Sequence, residues 1–229
     1  MTQYKAFKVK DVFSSPEILN SDVYQISLEV FNAVSHGIGF VLSILATCFL
    51  FMKGVKSQSL MSIVAYLIFA LSMCLMYFNS MMYHAMSRTI LKPIFKFFDH
   101  TAIYLLIAGS YTPFALLLVG GWLGLVLVIV EWGVALIGIM GKAVGNEWII
   151  KHSTLLYLLM GWMAIFAIRS ILTKLPLPGI IWLFAGGLAY SLGTIFYKFD
   201  EKYAYFHVFW HFFVMLGSAC LFVTVYCYV

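Results

Sequence analysis

Ser80 and His84, then Asp99, then His207 and His211 are polar side chains set into an otherwise apolar chain, and all fall at the ends of apolar segments. Each pair is spaced i, i+4, which on a helix puts both side chains on one face about one turn apart, within reach of a single ion. Asp99 adds a carboxylate from a third segment. Three imidazoles with a carboxylate and a hydroxyl nearby suit Zn²⁺, which takes four ligands and at catalytic sites keeps one position open for water. Such a site polarises a carbonyl and activates water near neutral pH, so hydrolysis is the expected chemistry. Asp99 would orient or deprotonate the water, and Ser80 would support the oxyanion or hold the water.

Glu29, Asn32 and His36, spaced i, i+3, i+7, share a stripe on one more helix. They would surround the metal ligands, as would His100 by orienting Asp99, whereas His152 reads as a loop residue. A lone histidine at a membrane interface is readily solvated by headgroups. The metal reading comes from several such residues landing in one layer of the membrane.

The elements that must hold these residues are membrane helices. With 63% hydrophobic and 10% charged residues and a mean hydropathy of +0.98, the chain has more apolar surface than a soluble domain buries. A bilayer core takes about 20 apolar residues of helix, and spans are expected near 30–52, 60–83, 98–118, 122–141, 154–172, 179–197 and 206–228. The fold class is therefore an all-α integral membrane protein, a seven-helix transmembrane domain (30–229) behind a short N-terminal segment (1–29). That segment shows no removable signal peptide, and its end, Val23 to Glu29, is expected to lie along the membrane surface.

Basic residues in short loops stay cytoplasmic. An inside N-terminus puts Lys5, Lys8, Lys10, Arg88, Lys92, Lys96, Lys142, Lys151, Lys198 and Lys202 there and leaves Lys53, Lys56, Arg169 and Lys174 opposite. The C-terminus is then outside and the histidines lie near the cytoplasmic face. The net charge of +5 reads as topology and contact with lipid headgroups, and nucleic acid is excluded as a partner because the cations are dispersed. Cys48, Cys74, Cys220 and Cys227 read as buried packing residues, Trp122, Trp148 and Tyr203 as interfacial anchors, and Pro113 as a kink. Glu131, midway along the fourth span, reads as a protonated, hydrogen-bonded core carboxyl or a cavity-facing group.

In order, Glu29-x-x-Asn32-x-x-x-His36-Gly37, Ser80-x-x-x-His84, Asp99-His100-x-x-Ile103, Ala108-Gly109-Ser110-Tyr111-Thr112-Pro113 and His207-x-x-x-His211 resemble the hemolysin III family. Through it they resemble the progestin and adipoQ receptor family and the alkaline ceramidases. The resemblance covers nearly the whole chain. It implies seven helices with a cytoplasmic N-terminus, Zn²⁺ held by His84, His207 and His211, a water held by Asp99, and Ser80 close by. The short N-terminus is similar to the bacterial branch, which implies a bacterial cytoplasmic membrane.

A site at the cytoplasmic boundary would meet a lipid amide or ester, so a zinc-dependent lipid hydrolase is the leading expectation, with ceramide-like substrates following by analogy. The alternatives are a receptor-like or stress-response protein with structural zinc, and a cytolytic pore. A pore would string polar groups at several depths, whereas here Glu131 alone stands at mid-membrane.

Overall fold

The computed structural model describes residues 22–229, and every regular element within them is helical. Seven helices are long and apolar enough to cross a bilayer: α1 (Asp22–Lys56), α2 (Leu60–Ala85), α3 (Lys92–Val119), α4 (Gly121–Ala143), α5 (Glu147–Lys174), α6 (Leu177–Lys198) and α7 (Phe206–Tyr228). The chain is a multi-pass membrane protein. Lys5, Lys8 and Lys10 lie outside the described residues.

Helix ends follow local chemistry. Ser59 caps α2 by accepting from the Ser62 amide (3.3 Å), and Asn146 caps α5 by accepting from Ile149 (3.1 Å). Pro93 and Pro178 sit in the first turns of α3 and α6, where a missing N–H costs nothing. Gly120 and Gly121 have φ of 66° and 60°, and this left-handed pair reverses the chain between α3 and α4.

Three expectations are corrected. Residues 23–29 are not a separate surface segment but the opening turns of α1. No Gly or Pro stands between Asp22 and Gly37, and the extension is held to the bundle by Arg88–Asp22 and Lys92–Glu29 pairs at 3.2 and 3.4 Å. His152 lies on α5, its ring stacked on Trp148 (4.7 Å between centroids), because the Asn146 cap starts that helix earlier than hydropathy suggests. Among the cysteines, Cys220 is buried, Cys74 is partly covered, and Cys48 and Cys227 are exposed. A thiol gains little from the interior when the surrounding lipid is equally apolar.

Pro113 changes the winding of α3. The α-helix runs to Pro113 and continues as a π-helical turn, Phe114–Val119, closed by Gly120 N donating to Ala115 O at 2.9 Å. In α5 the α-helix ends at Gly161, passes through a 3₁₀ segment, Met163–Ala167, and resumes at Ile168. The Tyr111 hydroxyl mends this break: it donates to Gly161 O (2.7 Å) and accepts from Ala164 N (2.8 Å).

α3 is the most enclosed helix. It packs on α2 so closely that a Cβ on Gly109 would stand 2.3 Å from Ser72 Oγ. The shared core is apolar and fully buried at Leu50, Phe69 and Val225. This packing brings the end of α2, the start of α3 and the start of α7 to one end of the bundle, with the first turns of α1 beside them.

Candidate metal centre

His84 closes α2, and His207 and His211 open α7. One ring nitrogen from each lies within 4.8 Å of the other two, and the centroids are 5.1 Å (84–207), 5.0 Å (84–211) and 4.8 Å (207–211) apart. Two Zn–N bonds of about 2.1 Å span at most about 4.2 Å, so small ring rotations would close this triangle on an ion.

The Nδ1 atom of each ring is engaged from behind. His84 Nδ1 is 2.6 Å from Glu29 Oε2, His207 Nδ1 is 2.7 Å from Asp200 Oδ2, and His211 Nδ1 is 3.1 Å from Ser35 Oγ. A carboxylate can only accept, so His84 and His207 carry their proton on Nδ1. Ser35 gives its single hydroxyl hydrogen to Asn32 O (2.9 Å) and therefore accepts from His211. In its neutral form every ring thus turns an unprotonated Nε2 lone pair toward its neighbours. For His84 and His211 that atom is fully buried without a hydrogen-bond partner among the described residues. Each such group costs about 1–3 kcal/mol, and three converging lone pairs are what a cation would relieve.

The structure distributes the remaining candidates around this triangle. Glu29 touches His84, and Asn32 serves through its carbonyl. His36 is buried and stacks flat on His211 (3.5 Å, 9°), with Tyr77 edge-on (5.2 Å). Ser80 and Asp99 are buried and border a cavity together with His36, His100, His207 and His211. Asp99 stands outside the ligand triangle. Glu131 is fully buried with both oxygens unbonded among the described residues, and it does not border the cavity. It is therefore the core carboxyl of the first expectation, though without the expected hydrogen bond, and not a cavity-facing group.

Two residues escaped the sequence. Ser35 sits beside His36 but follows no metal spacing. Asp200 lies in the α6–α7 connection, seven residues before His207. The habit of ligating histidines to donate their other N–H to a carboxylate is the signal that finds it.

The cavity has a volume of about 340 Å³. Ser80, Asp99, His207 and His211 border it where the end of α2 meets the starts of α3 and α7, and much of the rest is lined by side chains such as Leu106, Phe114, Leu127, Ile168, Leu183 and Leu221. Several hydroxyls along this wall are spent within the protein: Ser110 on Ile107 O (2.8 Å), Thr194 on Ser191 O (2.7 Å) and Tyr190 on Ser218 Oγ (2.7 Å). Gly161, Trp162 and Phe184 border the cavity and are also exposed on the outer face of the bundle.

The family model for haemolysin-III related proteins matches residues 24–222, which spans all seven helices and the whole histidine cluster. The chain belongs to the haemolysin-III related family. Within that setting it is 42% identical over 206 residues to the Hemolysin-3 homolog of Bacillus subtilis (strain 168), covering 90% of this chain and 96% of that protein. It is 41% identical over 201 residues to Hemolysin-3 of Bacillus cereus, covering 88% and 91%. A more distant likeness, 28% over 167 residues and covering 70% and 68%, connects this haemolysin-III related chain to the human Monocyte to macrophage differentiation factor.

Proposed function

We propose that this chain is a zinc-dependent hydrolase of a lipid amide or ester, its site near the cytoplasmic face, with the N-terminus inside and the C-terminus outside. The observation that carries the reading is the position of the polar cluster at one end of an apolar cavity. A lipid tail would fill the cavity and leave its carbonyl among Ser80, Asp99 and the histidines. Ser110, Tyr190 and Thr194 of this wall already have partners, so it offers little to a polar head and suits a hydrocarbon chain.

The donor set fits zinc: three imidazoles, each held by a partner behind it, with no further His, Cys, Asp or Glu completing the triangle among the described residues. Bound there, zinc would supply Lewis acidity toward the carbonyl and a water activated at neutral pH. Asp99, outside the triangle, takes the proton of the attacking water as its oxygen bonds to the carbonyl carbon. Ser80 donates to the oxygen on which negative charge develops. The C–N or C–O bond then breaks, and the proton held by Asp99 passes to the leaving amine or alkoxide, releasing a carboxylic acid.

A second reading makes the ion a staple between α2 and α7 in a sensor, since the ligands come from those two helices. The cytolytic reading in the name of the Bacillus cereus relative fits less well, because the cavity wall is apolar and the polar side chains gather at one end. The deciding experiment is turnover by detergent-purified, zinc-loaded protein against ceramides, acyl amides and phospholipid esters, with Asp99→Asn and a zinc-stripped control. Product that requires zinc, with Asp99→Asn keeping the metal but losing about 10²-fold or more in rate, is expected. No zinc-dependent product across the panel would favour the staple.

A further inference from the structure

Beside the metal centre, α4 and α5 converge on one backbone atom of α3. Tyr157 Oη donates to His100 O at 2.7 Å, and Lys142 Nζ donates to Tyr157 Oη at 2.9 Å and to His100 O at 3.4 Å. The ammonium also lies 5.7 and 5.4 Å from the ring centroids of Tyr104 and Tyr157, which pack edge to face at 4.6 Å. Gly138 on α4 makes room for this cage, since a Cβ there would meet the Tyr104 ring at 2.4 Å.

A half-buried lysine is an expensive way to join three membrane helices. Its position explains the expense. The carbonyl it and Tyr157 grip belongs to His100, the residue next to Asp99. A grip on that peptide fixes the rotation of the opening turns of α3, and with it the aim of the Asp99 carboxylate. We propose that Lys142 and Tyr157 are positioning residues that hold Asp99 toward the histidine site. This rests on the hydrolase reading only in taking Asp99 to act beside the metal.

The test uses the full chain loaded with Co²⁺ in place of zinc, whose visible spectrum reports the metal's surroundings without any substrate. Lys142→Met and Tyr157→Phe should keep wild-type metal content yet shift the spectrum in the direction that Asp99→Asn shifts it. Lys142→Arg, which keeps a donor, should return it toward wild type. Adding Lys142→Met to Asp99→Asn should change nothing further, because the aim of an absent carboxylate is immaterial. If turnover is found, kcat should fall by about 10- to 100-fold with KM unchanged, the scale for a catalytic group displaced by about 1 Å. Wild-type spectra for Tyr157→Phe and Lys142→Met, alongside a shifted Asp99→Asn, would overturn the proposal and leave the hydrolase reading intact. An unshifted Asp99→Asn would overturn both. Tyr157→Phe removes one oxygen, so it decides the matter if Lys142→Met fails to fold.

Discussion

Glu29→Ala offers a direct measure of the geometry behind the histidines. Glu29 accepts the Nδ1 proton of His84 at 2.6 Å, and the His84 side chain is 4% exposed against 27% for Glu29. The bond is charge-assisted and its histidine side is desolvated, which places its worth at about 1.5–3 kcal/mol. Only the part felt by the bound state counts toward metal affinity, and losing such an outer partner typically weakens a site by about 10- to 100-fold. Lys92, 3.4 Å from the other carboxylate oxygen, is partly exposed and water can replace its partner, so it adds little. Glu29→Gln is the sharper probe. If its amide N–H₂ turns toward His84, the imidazole must accept there, and its proton moves to Nε2, where it blocks the metal. Affinity would be read by competition with a chelator in detergent-purified protein. We expect the dissociation constant to rise at least tenfold in both variants. A wild-type value in both would refute the tautomer assignment.

Other outcomes follow from the same contacts. Ser35→Ala removes a neutral bond to His211 worth about 0.5–1.5 kcal/mol, so chelator competition should show a smaller loss than Asp200→Asn, which discharges the partner of His207. A His207→Ala, His211→Ala double variant should lose nearly all zinc by elemental analysis, and unchanged zinc would end the metal assignment. Reporter fusions should place the N-terminus inside and residue 229 outside, and both ends on one side would contradict an odd number of spans. Lys174→Met, which removes donors at 2.9 Å from both Leu118 O and Val119 O, should lower the melting temperature, and no change would show that water already serves those carbonyls.

Much of the fold was legible because bilayer thickness imposes a length on every apolar run, and hydropathy alone places the cores of seven helices. It says nothing of their ends, which are set by contacts. α1 starts early because Asp22 and Glu29 find partners on other elements, and α5 starts early because Asn146 caps it. The histidines were legible for a different reason: a polar residue inside a span is costly and so stands out against its neighbours. Ser35 and Asp200 did not stand out. Serine is cheap within a helix because it bonds its own backbone, and an aspartate in a loop is ordinary, so only the fold reveals that each faces an imidazole.

The lysines on the far face carry the same lesson into topology. Charge counting gives Lys53, Lys56, Arg169 and Lys174 equal weight as residues on the poorly charged side. In the folded protein, Lys53 donates to Val225 O (2.7 Å) and Tyr226 O (3.0 Å) at the end of α7, and Lys174 holds the last carbonyls of α3. Both sit where helix termini carry partial negative charge and unpaired acceptors, so their presence there has a structural cause that the inside-positive bias does not supply. Set aside as caps, they leave Lys56 and Arg169 as the free cations of that face among the described residues. The histidine end carries seven described basic residues, of which Lys142 likewise holds a backbone carbonyl and Arg88 and Lys92 pair with carboxylates. Under the proposed topology, with the histidine end inside, Lys53 and Lys174 are thus accounted for by the helix termini they serve and are no exception to the inside-positive bias.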